Sequence, residues 1–542
     1  MTCFEDLSNE LLCEIFDYLD GYWLYQIFSN LNFRLEQLLH SSSVLLKTSF
    51  HILKNDENMN MFKRFMFANR HQIFSIHIPS NALILVLSNL SSLPHLFSLT
   101  IETSNVEEKI NDIFRLIFVL PKLKYYRIVS SAIHQSITIP MAMNNQFSPI
   151  EYLVIDHYCS LNELTSLLSY TPQLRRLTLH KIKSNNDSNI IILSSITLDN
   201  LKSIYLDLCL TKFKELEIFM TIKIFPNLKS LCIVGSKDIS FLHACRWKQS
   251  ILNYFPQLEE FYLIYNDDDD DDDEQNYPIY TERPNQFSSS FWIERQWLFE
   301  VEIKDISIKY TIRPYSKGWY YETNDNIIDC STFINLTFEC IPDSIFDEER
   351  SKEIERVLTI TKIYYLEILE EDLSIPVLIQ IINLLPNITT LKIHSLSTDK
   401  TTELTLKELL ILCSMKQTSQ ITKVYLEEIG DIHKELDFLF TLCPYMKYFK
   451  VGRTNTTDIQ SFLRTIFKKI NRNNNHHLRL LCFHISTVDD RIVENIEEMI
   501  KCDKLLPYFT VKRILNDVYL QWKWLEHIDL FSCNIYLINK IK

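Results

Sequence analysis

Glycine is nearly missing from this chain. There are five in 542 residues, against a usual share of about 7%. They stand alone, at Gly21, Gly235, Gly318, Gly430 and Gly452. Loops that cradle phosphates need clustered glycines, so that backbone N–H groups can approach the ligand. Neither a P-loop nor a dinucleotide fingerprint can be written with these five. The 13 cysteines contain no C-x-x-C pair, which leaves zinc ribbons and thioredoxin-like sites without support. Burial as small apolar side chains in a reducing compartment is the reading they favour. H-E-x-x-H and G-x-S-x-G are also absent, so no catalytic residue, metal ligand or cofactor is expected and the chain reads as a non-enzyme. Basic charge is short as well. The formal net charge is -14, of which Asp267 to Asp273 and Glu274 supply eight, leaving about -6 for the rest. Nothing there forms a footprint for nucleic acid. The opening Met1-Thr2-Cys3-Phe4-Glu5-Asp6 is acidic and unlike a signal peptide. The uncharged stretch Asn81 to Ile101 carries Pro94, His95 and several serines, which makes a poor membrane span. A cytoplasmic or nuclear protein is expected.

What is present is a repeated phrase. Proline, any residue, apolar, two of any kind, apolar, any, apolar starts at Pro94, Pro121, Pro172, Pro226, Pro256, Pro386 and Pro444. With 46% hydrophobic residues, three matched positions arise by chance at about one start in ten, so 16 prolines would give about 1.6 cases rather than seven. Phrases without proline fill the gaps. The first apolar positions then fall at Ile73, Leu96, Leu123, Ile150, Leu174, Leu201, Leu228 and Leu258, in steps of 23 to 30. Later the beat loosens, through Leu298, Phe333, Ile363, Ile388, Ile421, Met446, Leu478 and Leu525. The last two apolar residues of each phrase alternate, as on a strand. The residues before each proline carry helical spacing, as in Asn111 to Leu120 and Leu161 to Ser169, and proline ends such a helix. The phrase resembles that of cytosolic leucine-rich repeats. The resemblance implies an α/β solenoid, a horseshoe whose parallel strands line a concave face. Outward strand positions on that face would meet a target protein: Tyr125, Arg127, Tyr152, Arg176, His180, Tyr205 and Tyr262. Tyrosine and arginine are favoured at interfaces, although tyrosine also suits exposed strands. Cys443, before Pro444, aligns with leucine, threonine or phenylalanine in sister phrases and reads as core.

The first forty residues have a different texture. Leu11, Leu12, Ile15, Phe16 and Leu19 make one helical stripe, with Ser8 placed to cap it. Trp23, Leu24, Ile27, Phe28 and Leu31 make a second, and Phe33 to Leu39 a third short helix. The pattern Leu7-x-x-Glu10-Leu11-Leu12-x-x-Ile15-Phe16-x-Tyr18-Leu19 resembles an F-box, the module that tethers a protein to the Skp1 adaptor of a cullin-type ubiquitin ligase. Ser8 stands where that family usually has proline. The resemblance implies that Leu7, Ser8, Glu10, Leu12, Ile15, Phe16 and Leu19 lie at or near the adaptor contact. A helical cap on the repeat array would also fit three short helices here.

The expected fold class is therefore α/β: a short N-terminal three-helix F-box, then a leucine-rich-repeat solenoid with one β-rich insertion. The expected divisions are residues 1–42 for the F-box, 43–72 for a helical linker or cap, and 73–265 for regular repeats. An acidic loop and β-rich insertion would take 266–345, with irregular repeats and a C-terminal cap over 346–542. The poly-aspartate run should be a solvated loop, Trp292 to Ile312 should be β-rich, and His476-His477 should lie in a solvated asparagine-rich loop. The function expected is a non-catalytic substrate receptor of an SCF-type ubiquitin ligase. Its partners would be a Skp1-type adaptor with its cullin complex and an unknown target protein, with no membrane or nucleic acid. The alternative is a repeat-based interaction scaffold outside ubiquitination.

Overall fold

Every proline-led phrase becomes a strand. The computed structural model describes residues 4–523 apart from 42–43, 50–55, 88, 104–109, 131–136, 144–145, 185–196, 209, 222–224, 268–286, 305–306, 316–333, 340–356, 358–360, 398–403, 455–458, 473–476, 486–489 and 507. Two compact units divide the chain, Met1–Tyr265 and Asn266–Lys542.

The first unit opens with helices α1 (Asn9–Asp17), α2 (Gly21–Phe28) and α3 (Phe33–Leu39). Strand β1 (Leu46–Ser49) and helix α4 (Asp56–Ala68) follow. Then come β2 (Ile73–Ile78), α5 (Leu83–Leu87), β3 (Ser98–Thr103), α6 (Ile110–Phe118), β4 (Tyr125–Ser130), β5 (Tyr152–Ser160), α7 (Leu161–Ser169) and β6 (Arg176–Lys183). The unit continues through β7 (Ser203–Leu208), α8 (Phe213–Thr221), β8 (Ser230–Ser236), α9 (Ala244–Tyr254) and β9 (Glu260–Asp267). Strands β1 to β8 pair in chain order, all parallel. One file of partners, Leu99, Tyr126, Leu153, Leu177, Ile204 and Leu231, runs across six strands, and every member is buried. Each such side chain removed from water contributes about 1.5–3 kcal/mol, and a single strand could not shelter them alone.

Helix α7 shows how the phrase works locally. Ser160 accepts from the Glu163 N–H, and the Glu163 carboxylate accepts from the Ser160 N–H, which satisfies two orphan donors of the first turn. Leu164, Leu167 and Leu168 turn inward. The helix closes at Tyr170, and Pro172 follows two residues later, without an N–H to extend it. The residue just ahead of each strand then donates its N–H to the same position one repeat earlier: Phe97 to Phe74, Lys124 to Phe97, Glu151 to Lys124, Arg175 to Glu151, Lys202 to Arg175, Lys229 to Lys202, and Glu259 to Lys229.

The second unit holds α10 (Ser290–Glu294), β10 (Trp297–Lys304), β11 (Ser307–Pro314), β12 (Ile334–Phe338), β13 (Tyr365–Ile368), β14 (Leu373–Ser374), α11 (Ile375–Leu384), β15 (Thr390–Ile393), β16 (Leu396–Ser397) and α12 (Leu406–Thr418). It continues through β17 (Lys423–Ile429), α13 (Ile432–Leu442), β18 (Tyr448–Thr454), α14 (Ile459–Arg472), β19 (Leu480–His484), α15 (Asp490–Cys502), β20 (Tyr508–Ile514) and β21 (Asp517–Lys523). Strands β10, β12, β13, β15, β17, β18 and β19 pair parallel in that order. Strand β21 then adds antiparallel to β19, and β20 to β21. At Gly452 a side chain would place its Cβ 2.7 Å from the Glu427 carbonyl oxygen, so only glycine lets β17 and β18 approach here. Among the described residues, no helix is long and apolar enough to cross a membrane.

These observations correct the expected architecture. The chain is α/β, and nineteen of its described strands go into mostly parallel sheet. It is not a separate three-helix F-box followed by a leucine-rich-repeat horseshoe. The leading helices belong to the first compact unit, because α2 lies directly on β1, the first strand of the sheet. Segment 43–72, expected to be a helical linker or cap, supplies that strand as well as α4. The β-rich segment is not an excursion either. Hairpin β10–β11 has its first strand paired parallel to β12, and Ser290–Glu294, expected to be partly strand, is helical. Of the acidic run, all but Asp267 lies outside the described residues, as do His476 and Leu525.

Candidate partner-binding surfaces

The N-terminal helices are held from three sides. Asp20 caps α2, its Oδ1 accepting from the Tyr22 and Trp23 N–H groups, while its Oδ2 accepts from the Ser49 N–H of β1 at 2.6 Å. Beside it, a Cβ on Gly21 would sit 2.9 Å from the Leu46 Cβ, so the helix start touches the strand without room for a side chain. From α4, Phe62 and Phe65 pack on Tyr22 at ring distances of 5.4 and 5.6 Å. Third, the Arg34 guanidinium of α3 donates to the carbonyls of Glu5 and Leu7, both at 2.6 Å, and to the Asn9 side chain at 2.9 Å. That fork ties α3 to the start of α1.

Once so held, the two apolar stripes split. Leu12 and Phe16 point inward, at 0% and 3% exposure, with Phe16 against Phe28. They hold the module together and are not open to a partner in this arrangement. Ile15 is half-buried and Leu7 intermediate, while Ser8, Glu10 and Leu19 are exposed. Ser8 caps α1 by accepting from the Leu11 N–H. The Glu10 carboxyl is held below its usual range, first by its own backbone N–H and then by the Ser8 hydroxyl. Of the second stripe, Leu24 is buried, but Trp23 (41%), Ile27 (54%) and Leu31 (55%) are open to solvent. Eight of the 25 exposed large apolar side chains among the described residues fall between Phe4 and Phe33. Single apolar side chains are ordinary on a surface; these eight fall within one short module. Leu11, Tyr18, Ile27 and Phe33 were not among the residues expected to make contact. Their helical spacing was visible, but which side of each helix faces out was not.

The second surface is the outward face of the first sheet. In register, Lys47 of β1 leads to Ser75, Ser98, Tyr125, Tyr152 and Arg176 on the next five strands. A shallow hollow of about 370 Å³ lies there, lined by Lys47, Phe74, Ser75, Phe97, Ser98, Tyr125 and Tyr152. Its apolar wall is the Phe74–Phe97 pair, stacked with centroids 4.8 Å apart and ring planes 11° apart. Arg127, two residues beyond Tyr125 on the same face, is exposed, and so is Arg176. His180 and Tyr205 pair their rings at 5.1 Å on β6 and β7, while Tyr262 is placed on β9, apart from the hollow. Thus Tyr125 and Tyr152 line the hollow, Arg176 stands in register beside Tyr152 and Arg127 lies two residues along β4, while His180, Tyr205 and Tyr262 do not line it. Phe74, Phe97 and Lys47 were missed. A signal existed: among the eight regular phrases from Ile73 to Leu258, the residue after the first apolar position is Phe74 or Phe97 in two, but Lys124, Glu151, Arg175, Lys202, Lys229 or Glu259 in the other six.

Burial lifts the thiols of Cys159 and Cys443 far above their usual range, and that of Cys482 to about 11, so none is a ready nucleophile. Among the described residues, no group of three His, Cys, Asp or Glu side chains gathers as a metal would require.

No family model matches this sequence, and neither does any curated protein.

Proposed function

We propose that the chain is a non-catalytic substrate receptor of an SCF-type ubiquitin ligase, acting in the cytoplasm or nucleus. Its F-box-like N-terminal helices would bind a Skp1-type adaptor, and the outward face of the sheet would bind the target. The observation that carries this reading is the open apolar surface of the leading helices. Those helices are fixed to β1 by Asp20 and Gly21, yet leave Leu11, Trp23, Ile27 and Leu31 uncovered. A cap whose task was only to close the sheet would turn these side chains toward it. The mechanism is proximity. Two binding surfaces on one chain raise the concentration of the target near the ligase, and no bond is made or broken by the receptor itself.

Co-purification with a Skp1-type adaptor tests the reading. Wild-type chain should capture it. The double substitution Ile27→Asp with Leu31→Asp should weaken capture at least 30-fold and leave the circular dichroism spectrum unchanged, since both side chains are exposed. Substituting Leu12 would not be informative, because the core would fail with it. Failure of the wild-type chain to bind, or equal binding by the double variant, overturns the proposal.

A further inference from the structure

The outward face of the first sheet around the hollow carries an unbalanced charge. Three carboxylates lie on or beside this face, and each is engaged. Glu102 meets His77 at 3.0 Å, Glu151 is shared by Lys124 and Arg175, and Asp156 meets Lys181 at 2.9 Å. Three cations are not so engaged. Lys47, at the β1 end, reaches only the Asp17 carbonyl at 3.4 Å. Arg127 and Arg176 form no ion pair with any described residue. This cationic surplus sits in a chain whose net charge is -14. Between the cations lie aromatic groups: the stacked Phe74 and Phe97, then Tyr125 and Tyr152 on adjacent strands.

We propose that this hollow receives an acidic peptide segment of the target protein, an apolar side chain seated on Phe74, Phe97, Tyr125 and Tyr152 and carboxylates flanking it on Lys47, Arg127 and Arg176. The spacing suits an extended peptide lying across the strands. From β1 to β6 is five strand intervals of about 4.8 Å, roughly the length of seven extended residues. Opposite charge would steer the segment in and fix its direction, while the aromatic floor supplies contact area. The assignment rests on the receptor reading only in saying whose peptide it is.

The test uses the full chain without adaptor. The probe is a fluorescein-labelled eight-residue peptide of glutamates around a central Leu-Phe pair, followed by polarisation. It should bind saturably and weaken as salt is raised. Arg127→Glu with Arg176→Glu should reduce affinity at least tenfold, as should Tyr125→Ser with Tyr152→Ser. A peptide with lysines in place of glutamates, or with serines in place of Leu-Phe, should bind at least tenfold less tightly. No binding of the acidic probe, equal binding of the lysine peptide, or indifference to the arginine substitutions overturns the assignment; so does a phosphopeptide binding where the acidic probe does not. Adaptor capture by the arginine variant reports the receptor reading separately, since those residues are remote in sequence from the leading helices.

Discussion

At the residue scale, Glu435 is the side chain most out of keeping with its surroundings. It is fully buried on α13. One oxygen accepts from the Gly430 and Asp431 N–H groups at 3.0 and 2.9 Å, and the other has no partner. Burial pushes its carboxyl up to about 7, against the pull of those two N–H groups, with Asp431 and Asp372 adding repulsion. A raised carboxyl means that the folded state holds a proton the unfolded chain has released. Stability therefore falls as pH rises from about 4.5 to about 7, and the full cost, about 3 kcal/mol, is present above that. Glu435→Gln keeps an oxygen for the two N–H groups and removes the charge. Urea unfolding at pH 5 and pH 8 should show the wild-type chain losing about 2–3 kcal/mol more than this variant; parallel pH profiles would refute the assignment. Nothing in the sequence marked Glu435. Its place in a helix was readable, but its depth depends on strands that arrive from elsewhere. Cys443, by contrast, was legible as core from its alignment with leucine, threonine and phenylalanine in sister phrases, and it is fully buried.

Among elements, the joint between α2 and β1 decides most. Asp20 serves two backbones at once, capping the helix with one oxygen and holding the Ser49 N–H with the other. Gly21 allows the contact by having no side chain. Asp20→Ala should cost about 1–2 kcal/mol, the usual range for a lost cap, with the loss of the strand contact added. Gly21→Val should cost more, since the added Cβ alone would lie 2.9 Å from the Leu46 Cβ and 3.2 Å from the Lys47 carbonyl oxygen, before its two methyl groups are counted. Hydrogen exchange is the suitable measurement. Protection should drop in residues 9–49 and be retained in β3 to β8, and a uniform drop would show that the joint is not local. The elements themselves were legible: Ser8 as cap, the limits of α7 and the strand within each proline-led phrase follow from local rules. Their assembly was not. The two stripes of the leading helices looked alike in sequence, yet one half of each is sealed and the other open: Phe16 of the first packs on Phe28, and Phe62 and Phe65 cover the second helix at Tyr22.

Over the whole molecule, the division after Tyr265 matters for any attempt to work with a part of it. Residues 73–265 contain the regular phrases, but cutting there removes β1 and the helix lying on it. The exposed edge of β2 would present unpaired backbone groups beside Ile73, Ile76 and Ile78, an invitation to aggregate. Residues 1–265 should unfold as one cooperative, monomeric unit in urea. The shorter piece should be less stable by several kcal/mol or self-associate on a sizing column, and equal behaviour of the two would show β1 to be dispensable. The sequence by itself determined that helices and parallel strands alternate, and which strand positions face inward. Those follow from proline and from apolar spacing, which act within a few residues. It also determined what the chain lacks, the glycine loops and cysteine pairs of common enzyme sites. Only the tertiary structure decided that the leading helices join the sheet, that Leu12 is sealed while Ile27 is bare, and that Phe74, Phe97 and Lys47 line one hollow, with Arg127 and Arg176 on the same sheet face. Each of those depends on which neighbour, 20 or more residues away, is brought alongside, and hydrophobic contact is blind to order along the chain.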